Sequence, residues 1–366
     1  MPLSSLSQAD ASSLRLVDRA RVALRSGEIV ALLGDDGGLS LTLAVETLGA
    51  EALARLRDLT GRAPVLALTR WRAAALGLIE TGGPGVIVLT PTRELSVGAI
   101  HALVEPGSLP RADLPAVSAR DAEELEIAAV RLTKLAALLP VAVLTGTDTI
   151  AEKTLPSVRA SDVADYQRRA ARALRRVADA PVPLADAPDT RIIAFRPSNG
   201  GHEHLAIVIG TPQPGEPVLV RLHSECFTGD ILGSLRCDCG EQLRRAIADI
   251  GKLGGGMVLY LAQEGRGIGL VNKLRAYRLQ DQGYDTLDAN EMLGFDADER
   301  FYLPAAEMLH QLGFDRVRLM TNNPDKMRQL ARCGIEVVER VSHIIPGNDY
   351  NAAYLRTKVE RGGHLL

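Results

Sequence analysis

Residues 257–270 read MVLYLAQEGRGIGL, an apolar run of six residues followed at once by a glycine-rich turn. The length and composition of this run predict a buried strand. A helical pattern, VNKLRAYRLQDQG, follows at 271–283. A strand, a turn and a helix in this order are typical of α/β proteins, so this stretch indicates the fold class of the region around it.

Further strand patterns lie on both sides of this stretch. Upstream they are RIIAFR (191–196), HLAIVIG (204–210) and PVLVRLH (217–223), and downstream they are VRLMT (317–321) and IEVVER (335–340). Short strands followed by strand–helix alternation predict a mixed sheet with helices. We therefore predict that residues 191–366 form one domain of an α/β (α+β) fold.

The first half of the chain shows its own alternation of helical and strand patterns. The predicted elements are helices at 14–24, 51–59 and 123–138 and strands at 28–33, 65–68, 86–89 and 141–145. We predict a second α/β domain over residues 1–150. Residues 151–190 are predicted to be a linker, with one arginine-rich helix at 162–177 and the proline-rich run PVPLADAPD. That helix is read as a solvated connector, with phosphate binding as the alternative.

Length and composition limit the class of protein. A chain of 366 residues exceeds the usual size of one hydrophobic core, which favours two domains. The net charge of -3 and the 4% of aromatic residues argue against a nucleic-acid partner. No stretch approaches the roughly 20 apolar residues of a membrane span, and the first residues lack the features of a signal peptide. We expect no membrane partner and a cytoplasmic location.

Three of the four cysteines lie close together in HSECFTGDILGSLRCDCGEQL (223–243). Cys226, Cys237 and Cys239 have the spacing C-x10-C-x-C, which favours metal binding or catalysis over a disulfide framework. Three thiolates fit a catalytic zinc site, which leaves one position for water. The alternatives are a closed structural site completed by Cys333 or His223, and buried inert cysteines.

The glycine-rich turn after the strand at 257–262 is a candidate phosphate site. Gly265, Gly267 and Gly269 would let backbone amides approach a phosphate, with Arg266 and Lys273 as a clamp. A simple turn is the alternative. Lys273 and Tyr277 are four residues apart and so share one helix face, for which a solvated face is the alternative.

Two further segments carry candidate residues. GFDADERFYLP (294–304) contains Asp298 and Arg300 before a predicted helix, and its acidic residues could serve only as helix caps. RLMTNNPDKM (318–327) predicts a helix that begins at Pro324. Capping does not account for Thr321 and Lys326.

Together these segments resemble GTP cyclohydrolase II in order and spacing. The motifs are RLHSECFTGD (221–230), SLRCDCG (234–240), QEGRGIGL (263–270), NKLRAYRLQDQGYDT (272–286), DADER (296–300) and TNNPDK (321–326). The resemblance covers the chain from about residue 193 onward. It implies hydrolysis of GTP to 2,5-diamino-6-hydroxy-4-(5-phosphoribosylamino)pyrimidine, formate and pyrophosphate, the first step of riboflavin biosynthesis.

The resemblance also implies roles for particular residues. It implies one zinc ion per subunit, held by Cys226, Cys237 and Cys239. It implies nucleotide contacts from Arg221, Leu222, His223, Ser224, Glu225, Gln242, Glu264, Gly265, Arg266, Thr286, Thr321 and Lys326. Asp298 would be the proton acceptor, Arg300 the nucleophile toward the α-phosphate, and Tyr277 a further catalytic residue. Chemically, an arginine is expected to stabilise charge rather than to attack. The resemblance further implies magnesium with the triphosphate, and a homodimer.

The first half resembles 3,4-dihydroxy-2-butanone 4-phosphate synthase more faintly. The resemblance rests on EIVALLGDDGG (28–38) and LTGRAPVLALTRWRAAALGL (59–78). The acidic, arginine-containing loop of that enzyme is reduced here to Asp35 and Asp36, and its histidine motif is replaced by ARDAEELEIAAV (119–130). We therefore predict a degenerate, non-catalytic domain.

Three other functions stay open at this point. One is a related cyclohydrolase that acts on another nucleotide, such as a uracil nucleotide. Another is a bifunctional enzyme that also makes the four-carbon riboflavin precursor. The third is a non-catalytic, zinc-stabilised nucleotide-binding protein, which would need four protein ligands on the metal.

Overall fold

The chain folds into two compact units, and each unit is formed by two separate stretches of the sequence. The computed structural model describes residues 7–103, 105, 117–150, 152–345, 360, 361, 363 and 365. The first unit consists of the residues up to Gln167 together with Val271–Glu299, here called the returning segment. The second unit consists of Arg168–Leu270 and the residues from Arg300 onward. The first division, between Gln167 and Arg168, falls within the predicted linker of residues 151–190, and the returning segment folds with the N-terminal residues.

The described part of the first unit contains one seven-stranded sheet. Its strands are β1 (Val30–Leu33), β2 (Leu39–Ala44), β3 (Val65–Thr69), β4 (Val86–Pro91), β5 (Val117–Asp121), β6 (Val141–Thr147) and β7 (Ser157–Arg159). They lie in the order β5-β4-β3-β6-β2-β1-β7. Neighbouring strands are antiparallel except for β1 and β7.

Helices pack against this sheet through apolar residues. In the N-terminal part of the chain they are α1 (Gln8–Arg25), α2 (Ala50–Thr60), α3 (Arg70–Ala75), α4 (Val97–Ala102), α5 (Glu124–Leu135) and α6 (Ala160–Arg172). In α1 the buried residues Leu14, Val17 and Leu24 recur at helical spacing, which gives one apolar face. Gly61 ends α2 with a positive φ of 61°, a conformation that glycine adopts without strain.

The second unit is built on a mixed sheet, as predicted. Its strands are β8 (Leu174–Pro181), β9 (Thr190–Pro197), β10 (His204–Ile209), β11 (Val218–Ser224), β12 (Gly256–Leu261), β13 (Arg316–Met320) and β14 (Glu336–Val341). They lie in the order β14-β13-β11-β12-β10-β9-β8. The four strands β14, β13, β11 and β12 are parallel to one another, whereas β10, β9 and β8 continue the sheet in antiparallel fashion.

Both faces of the second sheet are covered by helices. The second unit contains the described helices α7 (Cys239–Lys252), α10 (Leu303–Leu312) and α11 (Pro324–Arg332), whereas α8 (Leu270–Gln280), from its second residue, and α9 (Thr286–Met292) lie in the returning segment. One apolar cluster joins Val220 and Leu259 of the sheet to residues of α10 and α11, and another joins Val258 to Ile250 of α7. Strands buried on both faces explain the continuous apolar runs in the sequence.

The elements predicted from the sequence are confirmed except around residues 146–190. The sequence indicated one helix in that stretch, which in addition contains β7 and β8. The predicted helix at 162–177 is therefore wrong at its C-terminal end, because α6 stops at Arg172 and Arg175 and Arg176 belong to β8. Among the described residues, no helix has the length and apolar character needed to cross a membrane.

Candidate active site

The predicted site residues of the second unit follow the ends of three neighbouring parallel strands. β13, β11 and β12 are adjacent and parallel, so their carboxyl ends lie at one edge of the sheet. Cys226 follows β11, the glycine-rich turn follows β12, and Thr321 follows β13. Ligands of open α/β sheets bind at this kind of edge.

Three thiols form a group at this edge. The Sγ atoms of Cys226, Cys237 and Cys239 all lie within 4.8 Å of one another, and those of Cys226 and Cys237 are 3.7 Å apart. Sulfur atoms bound tetrahedrally to zinc at about 2.3 Å are about 3.8 Å from each other. The three residues therefore fit a zinc ion.

The predicted alternatives for a fourth ligand find no support in the part of the chain that the structure describes. Neither Cys333 nor His223 belongs to the thiol group, and no described histidine or carboxylate joins it. His223 instead places its Nε2 atom 3.1 Å from both carboxylate oxygens of Asp230. The group is therefore a three-thiol group within the described residues.

The thiols of Cys237 and Cys239 resist ionisation. Hydrogen bonding with Cys226 is the main cause that raises the pKa of Cys237, and it raises the pKa of Cys239 well above its ordinary value. Burial adds to both effects. Since thiolates bind metals and a nearby cation favours the charged form, a bound metal ion would reverse these shifts.

Two glycines make room for the thiol group. A Cβ atom on Gly229 would lie 2.8 Å from Cys237 Sγ and 3.1 Å from Cys226 Sγ. A Cβ atom on Gly240 would lie 2.1 Å from the carbonyl oxygen of Gly229. The π-helical turn Phe227–Ile231 and the start of α7 can therefore approach each other only because both positions lack a side chain.

Asp230 gathers four polar contacts next to Cys226. Its carboxylate accepts hydrogen bonds from Cys226 N at 3.0 Å and from Tyr260 Oη at 2.9 Å, in addition to the contact with His223. Its own backbone N–H donates to Cys226 O at 2.7 Å. Burial lowers the pKa of His223, and burial followed by the charge of Asp230 raises the pKa of Tyr260. The motif RLHSECFTGD contains Asp230 but assigns it no contact, and no sequence pattern indicated Tyr260.

Arg221 provides a buried positive charge beside the thiol group. It donates hydrogen bonds to Met320 O at 3.1 Å and to the Gln242 side chain, which in turn donates to Asp238 Oδ2 at 2.5 Å. Burial lowers the pKa of Arg221 to about 10, so the guanidinium stays charged at neutral pH. Within the described residues its Nε atom is a buried donor without a hydrogen-bond partner. A buried donor of this kind can receive an acceptor atom of a ligand.

The residues after β13 have local roles that the sequence left unexplained. Lys326 Nζ donates to the carbonyl oxygen of Leu222 at 3.2 Å, so the lysine joins α11 to β11. Thr321 Oγ1 accepts a hydrogen bond from Asn323 N at 3.0 Å, and Asn323 caps α11. The predicted helix start at Pro324 is confirmed. Thr321 and Lys326 are both buried.

The glycine-rich turn is also built as predicted, between β12 and α8. Glu264 Oε2 accepts a hydrogen bond from Phe227 N at 2.6 Å, which connects the turn to the residue after Cys226. Gly265 and Arg266 both have a positive φ, of 64° and 60°. Arginine rarely adopts this conformation, so the turn holds Arg266 in a strained backbone.

Two more predicted residues lie at the end of β11 and beside it. Ser224 Oγ accepts a hydrogen bond from Gln263 Nε2 at 3.2 Å. Burial, followed by the charge of Glu264, raises the pKa of Glu225.

The other predicted residues are divided between the units. Tyr277, Thr286 and Asp298 belong to the returning segment of the first unit, whereas Arg300 belongs to the second. Lys273 Nζ lies 5.7 Å from the ring centroid of Tyr277, and Lys273 is buried, so the solvated-face alternative is wrong for this lysine.

The capping alternative for the acidic segment is also wrong. α10 begins only at Leu303 after Tyr302, and no side chain caps it. Thr286 is the first residue of α9, which Asp285 caps.

Comparison with known proteins agrees with these motifs. Residues 175–342 match a family model described as GTP cyclohydrolase II. The chain is 57% identical to GTP cyclohydrolase-2 of Azospirillum brasilense over 368 residues, which cover 98% of this chain and 95% of that relative. The chain belongs to the GTP cyclohydrolase II family. The predicted family resemblance and the prediction of an enzyme are thereby confirmed.

Members of the GTP cyclohydrolase II family differ in how much of this chain they match. GTP cyclohydrolase-2 of Shewanella baltica is 55% identical over 172 residues, which cover 47% of this chain and 84% of that relative. Over half of the chain thus lies outside that match. Among solved structures, a two-domain 3,4-dihydroxy-2-butanone 4-phosphate synthase from A. baumannii is similar at 16% identity and a TM-score of 0.35, covering 90% of this chain and 99% of that one.

Proposed function

We propose that this chain hydrolyses GTP to 2,5-diamino-6-hydroxy-4-(5-phosphoribosylamino)pyrimidine, formate and pyrophosphate, in the first step of riboflavin biosynthesis. The observation that carries the proposal is the three-thiol group in a member of the GTP cyclohydrolase II family. A site with three protein ligands leaves one position for water, as catalytic zinc sites do.

The thiols of Cys226, Cys237 and Cys239 would hold one zinc ion per subunit. When bound, zinc supplies Lewis-acid activation of water for attack on the purine ring. The absence of a fourth ligand among the described residues supports this reading over a closed structural site. Asp230 would keep Cys226 in place through its bond to the Cys226 backbone.

Buried cations near the thiol group suit a triphosphate. Arg221 and Lys326 are both buried, and among the described residues the Nε atom of Arg221 has no hydrogen-bond partner. We propose that they bind the nucleotide together with Leu222, His223, Ser224, Glu225, Gln242, Glu264, Gly265, Arg266, Thr286 and Thr321. Magnesium would accompany the phosphates, because it is commonly bound through phosphate oxygens.

Three residues would act on the reacting groups. We assign Asp298 as the proton acceptor and Tyr277 as a hydroxyl that orients the opened ring. The guanidinium carbon of Arg300 lies 5.9 Å from the ring centroid of Tyr302. The planar cation of an arginine side chain suits transition-state stabilisation at the α-phosphate. The family resemblance assigns Arg300 the further role of nucleophile toward the α-phosphate.

The remaining parts of the proposal concern assembly and location. The protein would act as a cytoplasmic homodimer. The N-terminal residues would contribute no second activity: Asp36 Oδ1 accepts a hydrogen bond from Gly38 N at 2.8 Å, and Asp35 Oδ1 accepts one from Ser161 at 3.0 Å. Asp36 therefore bonds within its own turn and Asp35 bonds to α6, and these contacts account for both residues without catalysis.

Formate release from GTP tests this function. Purified protein supplied with zinc and magnesium is expected to release formate and pyrophosphate from GTP, and Cys237→Ser is expected to stay folded, bind GTP and release no formate. Cys333→Ser is the matched control, because Cys333 is also a partly buried thiol but lies outside the group. Turnover of a uracil nucleotide but not of GTP would refute the substrate assignment. Global unfolding of Cys237→Ser would favour a structural metal.

A further inference from the structure

The first unit contains residues from two distant parts of the chain. Its N-terminal residues, up to Gln167, contact the returning segment, which contains Tyr277, Thr286 and Asp298. Relatives such as that of Shewanella baltica match less than half of this chain. The contacts between the N-terminal residues and the returning segment indicate what the residues outside that match do in this chain.

Helix α3 holds the backbone of the returning segment just before Asp298. The hydroxyl of Thr69, which also caps α3, donates to Gly294 O at 2.7 Å. Arg72 Nη1 donates to Met292 O at 2.8 Å, and Arg72 is only 2% exposed. A buried guanidinium that bonds to backbone carbonyls fixes the position of the main chain, because losing these bonds would leave buried groups unsatisfied.

The approach of α3 to the returning segment requires a glycine. Gly294 has a φ of 91°, and a Cβ atom there would lie 2.8 Å from Thr69 Oγ1 and 2.9 Å from Pro140 Cγ. Both the conformation and the space exclude a side chain. The backbone of Gly294 thus packs directly against side chains of the N-terminal residues.

Two side chains of the N-terminal residues bind the acidic residues that flank Asp298. Trp71 Nε1 donates to Asp296 Oδ1 at 2.9 Å. Lys134 Nζ donates to Asp296 Oδ2 at 3.3 Å and to Glu299 Oε1 at 2.5 Å. Glu299 Oε1 also accepts a hydrogen bond from Asp296 N at 2.9 Å, so these residues form a closed turn around position 298.

Helix α8, which carries Tyr277, is held in a similar way. Asn272 Nδ2 donates to Ala137 O at 3.1 Å, and Asn272 is fully buried. Arg275 Nη2 pairs with Glu46 Oε1 at 2.9 Å and Arg275 Nη1 donates to Asn272 Oδ1 at 2.7 Å. Both parts of the returning segment that carry proposed catalytic residues are therefore anchored to N-terminal residues.

We infer that Trp71, Arg72 and Lys134 are positioning residues that hold the returning segment, and with it Asp298, in place for the hydrolysis of GTP. This inference rests on the proposed function for its catalytic part. The N-terminal residues then serve the reaction as a scaffold rather than as a second active site. Misplacement of a catalytic group by about 1 Å lowers rates by about a hundredfold.

Lys134→Met tests the inference because it removes only the ammonium group that pairs with Asp296 and Glu299. We expect kcat for formate release to fall about 10-fold to 100-fold while KM for GTP changes less than about threefold, since most proposed nucleotide contacts lie outside the returning segment. Lys134→Arg, which keeps a positive charge, should restore most of the activity. Arg62→Met is the matched control, because Arg62 pairs with Asp148 at 2.7 Å within the N-terminal residues, and it should keep the wild-type kcat.

Trp71 offers a readout that does not depend on turnover. It is the single tryptophan of the chain, and its indole N–H bonds to the returning segment. In Lys134→Met its emission should shift and its quenching by acrylamide should increase, with zinc content and far-UV circular dichroism unchanged. Trp71→Phe, which removes the hydrogen bond to Asp296, should also lower kcat.

The outcomes separate the two proposals. If the wild-type protein releases no formate, the proposed function is wrong, and the fluorescence alone decides whether Lys134 holds the segment. If the wild-type protein is active and Lys134→Met keeps both its kcat and its Trp71 emission, the inference is wrong. A parallel loss of zinc, helicity and activity that Lys134→Arg does not rescue would also overturn it, because the residue would then only stabilise the fold.

Discussion

Gly240→Ala should weaken zinc binding at the proposed site, although alanine favours the helix. Gly240 lies in the first turn of α7, where alanine would favour helix formation by about 1 kcal/mol. The added Cβ atom would however lie 2.1 Å from Gly229 O and 2.8 Å from Gly229 C. Carbon and oxygen atoms in contact are normally about 3.3 Å or more apart, so the two backbones must separate by about 1 Å.

Separating the two backbones would move Cys226 away from Cys239. Cys226 precedes the π-helical turn on one side of the contact, whereas Cys239 begins α7 on the other. Metal–ligand distances tolerate only about 0.2 Å of deviation. We expect overpacking to lower the free energy of unfolding by about 1–3 kcal/mol, more than the helical gain. Zinc affinity should fall about 10-fold to 100-fold, which is the size of effect seen when groups that support ligands are changed.

Zinc content after dialysis against a chelator and urea unfolding measure the two effects. The matched control is Gly251→Ala in the same helix, where the Cβ atom would meet its nearest neighbour, Asp186 O, at 3.6 Å. This control should keep its zinc and unfold at an equal or higher urea concentration. Wild-type zinc affinity in Gly240→Ala would show that the contact with Gly229 does not hold the thiols together.

Three further predictions concern single residues of the second unit. Asp230→Asn should weaken zinc binding about 10-fold to 100-fold, measured by competition with a chelator, because the carboxylate that accepts from Cys226 N loses its charge. Tyr260→Phe should lower the free energy of unfolding by about 1 kcal/mol in urea denaturation, since one hydrogen bond to Asp230 is lost. His204 accepts a hydrogen bond from Ala262 N at 3.0 Å, and burial lowers its pKa to about 4. The unfolded chain therefore binds a proton below pH 6.5 that the folded chain binds only near pH 4. Stability should fall by up to about 3 kcal/mol as the pH drops through this range, and thermal unfolding of His204→Asn should show a smaller slope.

The sequence predicted those parts of the site that depend on local patterns. The cysteine spacing indicated that Cys226, Cys237 and Cys239 lie together, and Pro324 after two asparagines indicated the start of α11. Apolar runs revealed the strands of the second sheet because these strands are covered on both faces. In each case the residues that determine the feature lie within one short stretch of the sequence.

The sequence could not reveal features that depend on contacts between distant residues. Arg175 and Arg176 fit a helical pattern, yet pairing with β9 draws them into the edge strand β8. Glycine is needed at positions 229 and 240 because two backbone segments meet there. The sequence around either glycine does not reveal this contact. The place of Asp298 in the first unit likewise follows from Trp71 and Lys134, more than 160 residues away.

The division of the first unit between two parts of the chain also affects the order of events during synthesis. All seven strands of its sheet have left the ribosome's decoding site by Arg159, but the returning segment ends only at Glu299. At about 5–20 residues per second the wait amounts to roughly 7–30 seconds. During this interval the buried face of α3, including the guanidinium of Arg72, has no partner carbonyl from Met292. The nascent sheet is therefore a natural client for chaperones until translation has passed Glu299.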